Sequence, residues 1–350
     1  ILIYYENICA VRTLTKPNHL PKANPMAGRE YVERYLEFFP KNFLRGKVIV
    51  VYEQSSVMRD LMVKILKKLD AKIIRVERSR KFIPIDTEAI DEATIKKAKI
   101  WSKKYRADGV VSSDGDGDRP VLFDENGDFI RGDFLDIICA AYLKADSVSA
   151  AVSCNTGLEK CGKFKNINRT KIGSPYVVAS MQNDKKKGYK KIVSYEANGG
   201  FLTGTDFKIN GRKLTALPTR DSILPILSAL ALANKCQLSL SKLVKTFPRR
   251  FVFSNSIKGI PTETNNKILI KISRGNQAAK KQAKKLFGLP AEVIKFDFTD
   301  GARMFLANDE IVHVRPSGNA PELRVYCEAD TLKRARELTE KTLKVLAQIK

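Results

Sequence analysis

The sequence predicts two consecutive α/β mixed-sheet domains followed by a smaller α+β C-terminal domain. Three observations carry this expectation. Between Lys47 and Ser112, β-branched apolar runs alternate with stretches of helical apolar spacing, a βαβαβ pattern that implies a parallel sheet. A second unit of the same order begins near Ser147. After Arg249 the pattern changes to short strands gathered beside one long amphipathic helix. The expected boundaries are residues 31–146, 147–247 and 248–350. Residues 1–30, with Pro17, Pro21 and Pro25 close together, read as an irregular remnant and linker.

The elements follow in order. Lys47 to Tyr52 is a strand, and Met58 to Leu69 a helix with Leu61, Met62, Ile65 and Leu69 on one face. Lys72 to Val76 is a strand, Ala93 to Tyr105 a helix, and Val110 to Ser112 a strand leading into an acidic loop. Asn126-Gly127 between Leu122-Phe123 and Phe129-Ile130 signals a hairpin. In the second unit, Val148 to Val152 is a strand, Pro175 to Asn183 a helix and Ile192 to Tyr195 a strand ending in a glycine-rich loop. Arg220 to Ala233 reads as one apolar helix. In the third, Phe251 to Ser256 is a strand and a lysine-rich helical stretch reaches Leu286. Four strands follow (Val293–Phe298, Arg303–Leu306, Ile311–Arg315 and Leu323–Glu328), then a helix from Thr331 to Ile349.

Composition narrows the class. Hydrophobic residues at 43% and charged residues at 29% suit a globular protein rather than a disordered one. No run of about 18 apolar residues occurs, so no membrane span is expected. None of Cys9, Cys139, Cys154, Cys161, Cys236 and Cys327 forms a Cys-x-x-Cys pair, which argues against a zinc cluster. Buried free thiols in a reducing cytoplasm are the simplest expectation. The formal charge of +25 invites an anionic partner. The lysine runs, such as Lys185 to Lys187 with Lys190-Lys191, lack interleaved aromatics that would stack bases. They read as solvated surface, and nucleic acid is not the expected partner.

Three loops carry chemistry. Asp114-Gly-Asp116-Gly-Asp118-Arg119-Pro120 stands at the C-terminal end of an expected parallel strand, where open α/β sheets place ligands. Its glycines let the backbone fold tightly enough for three carboxylates to converge. Such a hard-oxygen site suits Mg²⁺. An EF-hand is the competing reading, but its sixth position requires Gly and here holds Arg119; an acidic turn without metal is the plainer one. The second loop, Tyr195 to Phe201, offers Glu196 and Asn198 to two hydroxyls of a sugar, or is a simple turn. The third, Val314 to Pro321, combines Arg315, Ser317, Gly318 and Asn319 with Arg324 on the following strand. Two arginines, a hydroxyl and a glycine-rich backbone make an anion cradle; a structural turn is the alternative. Lys171, just before an expected helix, is either substrate-facing or solvated. His313 alternates with Arg315 on a strand, which favours a structural role, and His19 is uninformative.

With these loops in this order, the chain resembles the α-D-phosphohexomutase superfamily over residues of about 30 to 350. That family has four domains around a cleft. It carries an Asp-Gly-Asp-x-Asp-Arg metal loop, a Gly-Glu-x-Ser-Gly-type sugar loop and an Arg-Pro-Ser-Gly-Thr-Glu-Pro-type phosphate loop. Asp114 to Arg119, Glu196 to Gly199 and Arg315 to Pro321 occupy those positions. The resemblance implies a mutase that moves phosphate between O1 and O6 of a hexose through a hexose 1,6-bisphosphate and an enzyme phosphoserine. It implies Asp114, Asp116 and Asp118 as Mg²⁺ ligands and Arg119 as a support for the reacting phosphate. Glu196 and Asn198 would bind sugar hydroxyls. Arg315, Ser317, Gly318, Asn319 and Arg324 would grip the non-reacting phosphate. Glu196 to Phe201 and Ala216 to Asp221 are similar to the phosphomannomutase branch, which implies mannose 6-phosphate and mannose 1-phosphate as substrates. Phosphoglucomutase and an inactive sugar-phosphate-binding protein stand as alternatives.

The sequence departs from the family pattern in three places. No Thr-x-Ser-His-x-Pro-type segment, the family's phosphoserine loop, occurs in the 350 residues, so the chain reads as truncated or gene-split. Gly200 stands where a histidine often closes the sugar loop. Asn319 and Ala320 replace the usual Thr and Glu, and only Asn319 can hydrogen-bond a phosphate oxygen.

Overall fold

The computed structural model describes residues 24–259, 269–317 and 321–348. The first helix, α1 (Pro25–Phe38), starts behind Asn24, whose side chain accepts from the Met26 amide at 2.9 Å. Residues 25–30 are therefore helical, not the irregular linker expected from the prolines: Pro25 sits at a first-turn position, where its missing N–H has no cost. Pro17, His19 and Pro21 lie outside the described residues.

The first sheet has the order β2-β1-β3-β4-β5. Its strands are β1 (Val48–Gln54), β2 (Lys72–Arg78), β3 (Gly109–Ser113), β4 (Pro120–Phe123) and β5 (Phe129–Ile130). The first three pair in parallel, as the βαβαβ pattern predicted, and the last two continue antiparallel. Strand alternation assigns each face. Ile49 and Val51 join Met62, Ile65 and Leu66 of α2 (Arg59–Lys68), while Val50 and Tyr52 join Trp101 of α3 (Glu92–Tyr105). The Asn126-Gly127 turn is part of a wider loop over 124–128. There the Asp124 side chain accepts from the Asn126 and Asp128 amides.

After α4 (Gly132–Tyr142) comes the second sheet, β12-β9-β8-β6-β7. In chain order it holds β6 (Ser147–Ala151), the short α5 (Gly157–Lys160), β7 (Asn166–Thr170), α6 (Ser174–Lys186), β8 (Ile192–Tyr195) and β9 (Phe201–Thr203). A separate hairpin, β10 (Phe207–Ile209) with β11 (Arg212–Leu214), precedes β12 (Leu217–Asp221) and α7 (Ile223–Lys235). Strands β6, β7 and β8 are parallel. The expectation of one helix from Arg220 is corrected here: Arg220 and Asp221 end a strand, and the helix begins at Ile223. Asp221 forces that break, because its carboxylate accepts the Ile223 and Leu224 amides at 3.0 and 3.2 Å and caps the helix. Helix α4 escaped sequence reading because Gly132 to Ala140 are all buried, so no polar face sets a period.

One apolar core runs from α1 and α2 through α4 and α7 to the inner face of the second sheet, and unites the two sheets. The third sheet, β13-β17-β16-β15-β14, is wholly antiparallel. It comprises β13 (Phe251–Lys258), β14 (Val293–Asp297), β15 (Ala302–Leu306), β16 (Ile311–Pro316) and β17 (Glu322–Ala329). It has its own core against the helices Gln277–Phe287 and Leu332–Ala347. Glu328 ties it to the second unit by accepting from both the amide and the hydroxyl of Thr156. Mixed α/β sheets with a smaller α+β end match the expected class. Cys139, Cys154 and Cys327 are buried thiols, but Cys236, at the end of α7, is exposed, which corrects the expectation for that residue; Cys9 lies outside the described residues. No described helix is long and apolar enough to cross a membrane.

Asp221 also accepts the hydroxyls of Tyr31 (2.9 Å) and Tyr35 (2.5 Å), joining α1 to β12. Burial and the adjacent Asp221 charge hold both phenols well above their ordinary pKa. Asp221→Ala strands two buried hydroxyls and two helix amides, and is expected to lose about 3 kcal/mol of stability. Urea unfolding measures this, and Asp221→Asn should recover part of the loss.

Candidate active site

The acidic loop leaves β3 and re-enters at β4. Its ends are clipped together by the Asp114 amide donating to the Arg119 carbonyl at 3.2 Å. Gly117 has φ +82°, and a Cβ there would lie 2.4 Å from the Met58 side chain, so the turn requires glycine. The result is convergence: one carboxylate oxygen each from Asp114, Asp116 and Asp118 lies within 4.8 Å of the others. Asp114 is buried, Asp116 exposed and Asp118 between the two.

Three carboxylates this close need compensation. Arg119 Nε stands 3.5 Å from Asp114 and 3.7 Å from Asp118, and Arg220 Nε holds the second oxygen of Asp118 at 2.7 Å. Burial, reinforced by Asp116 and Asp118, still pushes the Asp114 carboxyl up to about 6, against the opposing hydrogen bond from the Arg119 amide. Asp118 Oδ1 is buried without a hydrogen-bond partner among the described residues. An orphaned carboxylate oxygen facing two more, in an all-oxygen set, fits a hard divalent cation such as Mg²⁺.

The loop Glu196–Gly200 is the hairpin connection between β8 and β9, with Tyr195 opposite Phe201. Gly199, φ +88°, rests on Pro120 of the acidic loop and on Gly132. A Cβ on Gly132, the first residue of α4, would meet the Gly199 backbone at 2.6 Å, so this loop packs on the start of α4 through glycine and on the acidic loop through Pro120. The Thr87 hydroxyl donates to the Asn198 carbonyl and clamps the loop from the first unit. Glu196 is buried and accepts the Ser174 hydroxyl at 2.6 Å, while Arg220 Nη1 stands 3.7 Å away. Asn198 Oδ1 accepts the Gly200 amide at 2.9 Å, so that oxygen shapes its own loop.

In the third sheet, Arg315 on β16 and Arg324 on β17 are directly opposite. Arg315 Nε donates to Asp300 Oδ1 at 3.0 Å, and Asp300 Oδ2 accepts the Ile172 amide at 3.0 Å. Arg324 is gripped by Glu322 at 2.6 Å, and the buried Ser317 donates its amide to the Glu322 carbonyl. Gly318 and Asn319 lie outside the described residues. Lys171 is exposed, its ammonium 5.9 Å from the Tyr176 ring centre. His313 is buried, bonded to the Asp300 carbonyl and stacked on Tyr326; burial lowers it to about 4, so it is a neutral structural residue at neutral pH.

Ile172 and Ser174 flank Gly173, so the contacts Arg315–Asp300–Ile172 and Ser174–Glu196–Arg220–Asp118 form one continuous chain through all three loops. Sequence pattern does not reveal its connecting residues: Arg220 falls in the expected helix from Arg220 to Ala233, Ser174 stands just before the helix expected from Pro175, and Asp300 lies in the gap between the expected strands Val293–Phe298 and Arg303–Leu306.

These are mixed α/β sheets with an acidic loop at the C-terminal end of a parallel strand, an architecture that comparison with known proteins assigns to a family. The family described as phosphoglucomutase/phosphomannomutase, alpha/beta/alpha domain III, matches residues 131–251, and the C-terminal domain of the same family matches 269–345. A phosphomannomutase of Salmonella muenchen is 43% identical over 91% of this chain, and one of Sinorhizobium fredii 40% identical over 90%. The chain spans 65% and 66% of the length of those relatives. A phosphoglucomutase/phosphomannomutase family protein of Burkholderia thailandensis shares the fold with TM-score 0.68, at 16% identity, over 92% of this chain and 64% of that one. The chain belongs to the α-D-phosphohexomutase superfamily.

Two outcomes follow from the geometry. Because folding raises the Asp114 pKa, its stabilising contribution is complete below the ordinary carboxylate range and lost as pH rises through about 6. Mg²⁺ should offset that loss, by roughly 2.7 kcal/mol at about 100 times its Kd. Thermal melts should therefore show a larger Mg²⁺-induced rise at pH 7.5 than at pH 5. Gly132→Ala should cost about 2 kcal/mol by forcing the Gly199 backbone aside. Mg²⁺ titration of that variant should also show weaker binding, since the acidic loop abuts the displaced backbone through Pro120.

Proposed function

We propose that this chain forms the metal-, sugar- and phosphate-binding portion of a phosphohexomutase of the phosphomannomutase type. The observation that carries this reading is the unbroken chain of contacts from Asp118 through Glu196 to Arg315. It holds a cation site, a hydroxyl-binding loop and an anion cradle in fixed relation. The 43% and 40% identical relatives, both named phosphomannomutases, support the mannose assignment.

In this reading the first sheet is the metal-binding unit, the second the sugar-binding unit and the third the phosphate-binding unit. Asp114, Asp116 and Asp118 hold Mg²⁺, which when bound neutralises charge on the transferring phosphoryl group. Arg119 orients that phosphate. Arg220 fixes Asp118 and Glu196 together, so metal and sugar positions move as one. Glu196 and the Asn198 amide nitrogen accept and donate to sugar hydroxyls, with Lys171 at the rim. Arg315, Ser317, Gly318, Asn319 and Arg324 hold the remote phosphate, whose binding energy orients the reacting end. The phosphoryl donor is a serine of a Thr-x-Ser-His-x-Pro-type segment, which these 350 residues do not contain.

Calorimetry should show mannose 6-phosphate binding to this chain in Mg²⁺, and turnover of mannose 1-phosphate only when a serine-bearing segment is joined to it. Absence of both binding and turnover for every hexose phosphate tried would defeat the proposal; binding that persists without turnover in the joined chain would leave an inactive sugar-phosphate binder. Arg315→Met should weaken mannose 6-phosphate by about 10- to 100-fold, the loss of a charge-assisted hydrogen bond or two.

A further inference from the structure

The end of the second sheet remote from the candidate site carries a depression of about 380 Å³ ringed by Lys144, Lys163, Lys165, Lys190 and Lys191. We propose that it binds a small polyanion bearing two or more phosphate groups. The five lysines arrive on three separate connections. Lys144 follows α4, Lys163 and Lys165 lie between α5 and β7, and Lys190 and Lys191 lie between α6 and β8. These connections enter the N-terminal ends of β6, β7 and β8, which run parallel side by side. Topology therefore gathers the charges; they are not one solvated helix face. The run read from sequence as plain surface divides here: Lys187 stays beside Asp184 at the end of α6, at 3.7 Å, while Lys190 and Lys191 turn into the depression.

The lysines of this cluster have no carboxylate partner among the described residues, unlike several surface lysines elsewhere on the chain. Lys97, Lys99, Lys160, Lys213 and Lys284 each have a carboxylate within 3.1 Å. The five around the depression have no ion pair among the described residues; Lys163 lies over the Phe247 ring instead. The single acidic group there, Asp146, accepts the backbone amides of Lys190 and Lys191 at 3.3 and 3.0 Å. It anchors that turn and leaves the ammonium groups uncompensated.

Size selects the ligand. About 380 Å³ lies within the ~300–1,000 Å³ range of small-molecule sites. Ala141, Ala145 and Phe164 give it an apolar floor. Ammonium groups bind phosphate as point charges without a demanding geometry. The depression is separate from the candidate active site: Lys191 precedes β8 and Glu196 follows it, which at about 3.3 Å per residue separates the two by roughly 15 Å. Occupancy here leaves that site open, and the inference does not rest on the proposed function.

The test is calorimetry of the full chain with inorganic tripolyphosphate, without Mg²⁺, at about 0.15 M salt, where weak surface attraction is screened. One tripolyphosphate per chain is expected. Lys163→Glu/Lys191→Glu should weaken it at least about tenfold, while Lys281→Glu/Lys285→Glu, the same charge change on the helix Gln277–Phe287, and Arg315→Met should leave it within about twofold. Should the charge reversal impair folding, Lys163→Gln/Lys191→Gln reads the same loss. Equal weakening by both charge-reversed pairs, loss with Arg315→Met, or no saturable binding at this salt would overturn the proposal. So would tighter binding of a short DNA duplex than of tripolyphosphate.

Discussion

The Glu196 carboxylate is the constraint on which the site depends. Its Oε2 takes the Ser174 hydroxyl and stands 3.7 Å from Arg220, and Arg220 in turn holds Asp118. Ser174 opens α6, and Ile172 just before it gives its amide to Asp300, which holds Arg315. A buried carboxylate shared between a hydroxyl and an arginine has few alternative partners, so each contact limits the next. Loops from three sheets are in this way held in one arrangement without a hydrogen-bonded strand passing between the sheets.

Like charges explain why the support is arginine. The acidic loop gathers three carboxylates in a turn too tight for side chains at Gly115 and Gly117: a Cβ at Gly115 would lie 2.6 Å from the Phe82 ring. Arg119 and Arg220 offset part of the repulsion, and burial, with Asp116 and Asp118 adding to it, still raises the Asp114 carboxyl. The guanidinium of Arg220 stays on the side of Asp118 away from its orphaned oxygen. Arg119 Nε stands 3.7 Å from that oxygen without hydrogen-bonding it, so positive charge flanks the cluster yet leaves this oxygen free for a cation.

Much of this was legible in the sequence, and the failures share a cause. The parallel strands, the acidic loop and the arginine strand announce themselves through local patterns: β-branched runs, alternating Asp and Gly, Arg beside Pro and Gly. Strand Ile192–Tyr195 appears as the pattern places it. What escaped depends on partners far along the chain. Asp221 breaks the expected helix because Tyr31 and Tyr35, on α1, use its carboxylate together with the α7 amides. Arg220 looks like an ordinary strand or helix residue until Asp118 and Glu196 are folded against it. Asp300-Gly301 resembles a plain turn, yet a Cβ on Gly301 would lie 2.4 Å from the Val314 carbonyl. That close approach is what lets Asp300 reach Arg315.

The same reasoning ranks the two arginines that sequence treated alike. Arg315 gives Nε to Asp300, and its terminal nitrogens carry no hydrogen bond to the described residues. Asp300 cannot drift away to cover them, because its other oxygen is committed to the Ile172 amide. Under the proposed function, the outer prongs of the Arg315 fork are the ones left for phosphate, with the inner one already braced. Arg324 is different. Glu322 engages both its Nε and its Nη2, and Ser256 holds the other oxygen of that carboxylate. Under the proposed function, a phosphate reaching Arg324 would share it with a carboxylate of like sign, so of the two arginines that hold the phosphate, Arg315 is the one left freer to grip it directly.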